Sequence, residues 1–169
     1  MSAHNPQDEF RNHTFDSCHK LFELEYNTVV RVVDIYDGDR CTIVMKLNNE
    51  YNKFTVRLNG IDTCEMKSKS SDNKKKAYLA RDRLLNLVTN LPSVQESLPR
   101  KNVRELLNRD VYLVNICITG TDKYGRLLGD LYSLEDNTKT ISYSSVLIRE
   151  KLAYAYDGGT KKAEEEQLN

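Results

Sequence analysis

The sequence predicts an α+β fold, a five-stranded β-barrel with two to three helices packed on it. Three short apolar runs follow one another between residues 27 and 59, with only turn residues between them. A long helical pattern over 73–90 then interrupts the strands, and two more strand patterns and a last helix follow. That order, β-β-β-α-β-β-α, resembles an OB-fold barrel with a helix between strands three and four.

The first run, 27–36 (NTVVRVVDIY), is rich in valine and isoleucine, whose branched side chains suit a buried strand. Asp37-Gly38 follows as a tight-hairpin signal, because glycine accepts positive φ. Residues 40–47 alternate, with Cys41, Ile43, Met45 and Leu47 on one face. Asn48-Asn49 makes the next turn. Residues 51–59 alternate again, placing Phe54, Val56 and Leu58 inward and Lys53, Thr55 and Arg57 on the polar face.

A helix over 73–90 is expected from its apolar stripe of Ala77, Ala80, Leu84, Leu87 and Val88, with Ser71 or Asp72 as cap and Pro92 beyond its end. Residues 91–109 read as an insertion on the outside, with a short helical pattern at Val103, Leu106 and Leu107. Strand four is expected over 110–118, a turn over 119–125 and strand five over 126–132, where Gly129 points to a bulge or sharp bend. The last helix is expected over 143–151, capped by Ser142.

At 169 residues the chain fits one domain. The expected division is a flexible N-terminal arm over 1–25, the barrel domain over 26–157, and a charged tail over 158–169. No run is apolar and long enough for a signal peptide or membrane span, which points to an intracellular protein without membrane contact. Cys18, Cys41, Cys64 and Cys117 lack zinc-site spacing and read as thiols. His13, Cys18 and His19 likewise fit no standard metal site.

Formal net charge is zero, so attraction for a polyanion must come from local clustering. One such cluster is present. Lys67, Lys69, Lys74, Lys75, Lys76, Arg81 and Arg83 face only Asp72 and Asp82 across 67–83. It reads either as a solvated helix face or as a funnel for a nucleic-acid backbone.

Five charged residues fall at strand ends, where a barrel can gather them: Asp39, Arg57, Asp62, Glu65 and Arg126. Such a set matches the demands of phosphodiester hydrolysis. Negative charge grows on the phosphate oxygens and the leaving group; a hard cation held by carboxylates and fixed guanidinium forks can oppose it, while another carboxylate activates water.

Three motifs in order resemble the staphylococcal nuclease (thermonuclease) family: Asp37-Gly38-Asp39 after a valine-rich strand, Arg57-Leu58 leading into Ile61-Asp62-Thr63-Cys64-Glu65, and Asp122-Lys123-Tyr124-Gly125-Arg126 between strands. The resemblance spans about residues 27 to 156. It implies a calcium-dependent endonuclease that hydrolyses DNA and RNA with little sequence preference and leaves 3′-phosphate ends. By that similarity Asp39 and Asp62 bind Ca²⁺ through carboxylates and Thr63 through its carbonyl. Glu65 is the general base, Arg57 and Arg126 grip the scissile phosphate, and Lys123 and Tyr124 touch the terminal phosphate of the nucleotide. The implied substrate is single-stranded or unwound DNA or RNA, handled by a monomer. The geometric expectation is three acidic groups around one divalent ion, with two guanidinium forks above it.

Two residues depart from the family pattern. Arg40 replaces the usual threonine, and Cys64 replaces proline, which frees the backbone beside Glu65 and sets an oxidisable thiol near the site. Neither change removes a required charge, so activity is expected to survive. The alternative is a non-catalytic OB-type module binding nucleic acid or protein. Tyr154 and Tyr156 suit either base stacking or packing, and Gly158-Gly159-Thr160-Lys161 reads as a plain turn.

Overall fold

The structure is a computed structural model that describes residues 6–93, 96–163 and 166–167. Parts of the expected arm, insertion and tail therefore lie outside the described residues. Five strands close into a barrel in the order β1-β2-β3-β6-β5: β1 (Tyr26–Ile35), β2 (Arg40–Leu47), β3 (Glu50–Leu58), β5 (Leu113–Thr121) and β6 (Leu127–Tyr132). The closure is β3 against β6, a parallel pair in an otherwise antiparallel barrel. This is an OB-like barrel with helices, as the element order predicts.

Alternation decides what faces inward. Cys41, Ile43, Met45, Val56 and Leu58 are all buried in the core, while Lys53 and Thr55 point to solvent. Asn48 and Asn49, both at positive φ, form the two-residue hairpin between β2 and β3.

The β1–β2 connection departs from expectation. Gly38 is not at positive φ. Its missing side chain serves a close approach instead: an added Cβ would stand 2.6 Å from Ala80 Cβ and 2.8 Å from Thr63 Cγ2. The loop can thus lie directly on the helix α2 (Ser71–Thr89). Ser70, one residue earlier than expected, caps that helix by accepting from the Asn73 N–H, and Asn90 ends it in the left-handed conformation.

The insertion does more than pack outside. Its helix α3 (Arg100–Arg109) buries Val103 and Leu107 completely in the core against β1. Burying each contributes about 2 kcal/mol. Strand β5 begins and ends three residues later than expected and shifts register between Ile118 and Gly120, so the irregularity falls where Gly129 pairs with Ile118, with the extra residue on β5. The turn shrinks to 122–126, because the bulge lets pairing continue to Thr121.

Helix α4 (Tyr143–Arg149) is capped by Ser142, as expected. A small second sheet, β4 (Ile61–Asp62) with β7 (Tyr154–Ala155), has no counterpart in the sequence reading, since two-residue strands carry no periodicity. The arm holds a short helix α1 (Pro6–Phe10) and sends Phe22 into the core, while Leu21 and Leu24 stay exposed. None of the four cysteines forms a disulfide. Among the described residues no helix is long and apolar enough to cross a membrane.

Candidate active site

A cleft of about 720 Å³ opens at one end of the barrel. Four stretches of chain line it: the β1–β2 loop, the end of β3 with the segment after it, the β5–β6 turn, and the tail after β7. All eight residues singled out as the site line it: Asp39, Arg57, Asp62, Thr63, Glu65, Lys123, Tyr124 and Arg126.

Backbone bonds hold these stretches together. The Leu58 N–H donates to the Asp39 carbonyl at 2.8 Å, Asn59 to Gly129 at 3.0 Å, and Tyr156 to Gly60 at 2.9 Å. Parallel pairing of Arg57 with Leu128 brings β3 beside the start of β6, two residues after Arg126. Both arginines therefore reach the same end of the barrel.

Arg57 sits at the centre. Its Nη2 lies 3.1 Å from Asp62 Oδ1 and 3.4 Å from Asp39 Oδ2, and it donates to the Ile61 carbonyl at 3.3 Å. All three side chains are largely shielded, at 14% exposure for Arg57, 5% for Asp39 and 3% for Asp62. Asp39 also accepts from the Thr63 hydroxyl at 3.2 Å. Asp62 accepts from the Tyr154 hydroxyl at 2.5 Å.

This concentration of acid is costly. Burial pushes the Asp39 carboxyl well above the usual carboxylate range. The charge and hydrogen bond of Asp37 and the charge of Asp62 add to that push, and Arg57 opposes it. Asp37 itself is held by the Arg40 guanidinium, through Nε at 2.8 Å and also through Nη2. Arg40 thus takes part in the site by neutralising the acid next to Asp39.

Glu65 stands apart from that pair. It is about half exposed, and its Oε1 lies 3.0 Å from Lys161 Nζ, which also lies 3.1 Å from Asp62 Oδ1. Burial lowers the proton affinity of the Lys161 ammonium, but its bonds to Glu65 and Asp62 outweigh that and hold it above its ordinary value. The segment read as a plain turn is therefore a wall of the cleft. Tyr156 donates its hydroxyl to the Gly159 carbonyl and lies under the Arg57 guanidinium, 5.2 Å from ring centre to Cζ. Tyr154 is buried and bonded, while Tyr156 is half-buried.

At the opposite wall, Asp122 fixes Arg126. Its carboxylate accepts from Arg126 Nε at 2.6 Å and from the Arg126 and Tyr124 backbone N–H groups at 3.0 and 2.9 Å. Burial raises the Asp122 carboxyl, but these bonds outweigh it and leave it below the usual range. Tyr124 is exposed, with the Arg126 and Lys123 cations 5.2 and 5.1 Å from its ring centre.

The expected ring of three acids is corrected here. Among the described residues no three His, Cys, Asp or Glu side chains group closely enough to hold an ion. Two carboxylates, Asp39 and Asp62, share one cation, and Glu65 pairs with another. The donor chemistry still fits a hard divalent cation, because two shielded carboxylates lie close enough to share the Arg57 guanidinium and offer oxygen ligands. Cys64 is 1% exposed, so burial closes off the oxidant access expected of it.

No protein-family model matches the chain, and no curated protein matches it either.

The basic stretch after the site is only partly available to a ligand. Arg81 is buried against Asp82 and the Leu98 carbonyl, and Arg83 is bonded to Glu150. Lys67, Lys69, Lys74 and Lys75 remain exposed.

Proposed function

We propose that the protein is a calcium-dependent endonuclease of the staphylococcal nuclease type, hydrolysing phosphodiester bonds in DNA or RNA with low sequence specificity and leaving 3′-phosphate ends. The observation that carries this reading is the single cleft that joins Asp39, Arg57, Asp62, Glu65 and Arg126 from distant parts of the chain.

Asp39 and Asp62, with the Thr63 carbonyl, would hold Ca²⁺, which when bound supplies positive charge against the developing phosphorane charge. Arg57 and Arg126 would supply fixed guanidinium donors to the phosphate. Arg57 is held between two acids and Arg126 by Asp122, so neither has to be reorganised for the reaction. Glu65, the one exposed carboxylate of the set, would take a proton from water. Lys123 and Tyr124, at the rim, suit the terminal phosphate.

The test is digestion of matched single-stranded DNA and RNA with Ca²⁺ and with chelator. Cleavage in the presence of Ca²⁺ that stops on chelation is expected, and cleavage indifferent to the chelator rejects the mechanism. The rival reading, a non-catalytic binding module, draws on the pairing of Glu65 with Lys161. It predicts nucleic-acid binding without turnover under either condition.

A further inference from the structure

A second cluster of guanidinium groups stands beside the cleft at Arg40. This side chain lines the cleft and also lies over the Tyr36 ring, with Cζ 4.3 Å from the ring centre. The same ring carries a second guanidinium, that of Arg100 at the start of α3, at 4.7 Å. Arg100 and its neighbour one turn along, Arg104, each place Nη2 2.8 Å from one oxygen of Asp34. The other oxygen of Asp34 is buried with no hydrogen-bond partner.

One carboxylate facing two guanidiniums leaves a positive charge in excess. Asp34 is almost completely shielded, while Arg100 and Arg104 are 48% and 57% exposed. Anchoring α3 to β1 accounts for the buried oxygen but not for two forks that keep about half their surface in water. The nearest acid on the helix, Glu105, faces Lys101 at 3.8 Å.

We propose that Tyr36, Arg100 and Arg104 continue the cleft as a binding track for the sugar-phosphate backbone of a single nucleic-acid strand, with Arg40 as the link. The assignment rests on the nuclease reading of the cleft and adds the direction in which substrate leaves it. Arginine is suited to this use because its planar fork can hold a carboxylate with one edge and accept a phosphate on another. Tyr36 holds the Arg40 and Arg100 cations at one ring, so each backbone phosphate leaving Arg40 meets a second guanidinium close by.

The test uses the full chain in chelator and a fluorescein-labelled single-stranded DNA of about twenty nucleotides, longer than the roughly 4–16 nucleotides that one OB fold covers. Binding is followed by anisotropy over a range of salt concentration. The variant is D34N/R100Q/R104Q, which removes the buried acid together with its partners so that no unpaired charge is left inside. Losing the one positive charge in excess should make the slope of log affinity against log salt shallower by about 0.7, the contribution of a single-strand phosphate contact. An unchanged slope in a folded variant overturns the track.

A second measurement needs no mutation. Phenylglyoxal modification of Arg100 and Arg104 in the wild-type protein, read by peptide mass, should be suppressed by the DNA. Equal modification with and without DNA overturns the proposal, as does equal protection by polyglutamate, which would make the patch a general anion or acidic-protein surface. Failure of the wild type to bind the DNA at all overturns the track, and the nuclease reading falls with it only if Ca²⁺-dependent cleavage is absent as well. Calcium-dependent cleavage with unprotected arginines sinks the track alone.

Discussion

Lys161 Nζ stands 3.0 Å from Glu65 Oε1, joining two residues 96 positions apart across the mouth of the cleft. The same ammonium reaches Asp62, so it spans the group assigned to the base and a group assigned to the metal. A cation in that position competes with a divalent ion for the same negative charge. Lys161→Met should therefore tighten Ca²⁺ binding by about three- to tenfold, consistent with a partly exposed pair worth on the order of 1 kcal/mol. Isothermal titration of Ca²⁺ into the two proteins checks this, and equal affinities would remove the competition.

Tyr154 bonds to Asp62 from a buried position. Tyr154→Phe deletes only the hydroxyl and leaves one carboxylate oxygen without that donor. The expected cost is about 1.5–3 kcal/mol, because the acceptor is charged. Urea denaturation at pH 7 measures it.

Gly38→Ala adds a single methyl group between the site loop and α2. Neither Ala80 Cβ nor Thr63 Cγ2 is the end of a long side chain that can swing away. The loop must lift, at about 1–3 kcal/mol, and Asp39 must lift with it. The variant should lose both stability and cleavage, read by denaturant midpoint and by initial rate on single-stranded DNA.

Asp122 supplies a pH signature. Its carboxyl is held below the ordinary value of 3.8 by its bonds to Arg126 and Tyr124. A depressed acid adds stability that is complete above its unfolded value and fades as pH falls through the folded one. Asp122→Asn should thus be less stable than wild type at pH 6, with the gap closing below about pH 3.8. Urea midpoints for both proteins from pH 2.5 to 6 would show it.

Loss of the base or of a phosphate clamp should be seen in rate more than in stability. Glu65→Gln and Arg126→Ala are each expected to lower cleavage by at least about 10²-fold. Near wild-type rates in either variant would strip that residue of its role.

Much of this architecture was legible in the chain. Strict alternation in β2 and β3 announced which side of the barrel Arg57 would take, because a strand has only two faces. Asn48-Asn49 announced its turn, since asparagine tolerates the left-handed region. Gly38 was misread for a physical reason. A glycine chosen for positive φ and one chosen for close approach look the same in sequence, and only the position of Ala80 separates them.

The site shows the same division. Its acids and arginines stand in motifs that resemble those of a known family, and the cleft gathers all of them. Lys161 has no such mark: its role depends on a tail folding back along β4, and a two-residue strand pair leaves no pattern to detect. The burial of α3 was hidden for a similar reason, because Val103, Leu106 and Leu107 are few beside its polar residues.

The small β4–β7 sheet also governs when the cleft can exist. A ribosome releasing this chain exposes Asp39 and Asp62 well before Tyr154 and Lys161. Until then the two acids lack those partners, and the cleft lacks a wall. Any hydrolytic power the protein holds is thus withheld until the segment after β7 has folded back over the two acids.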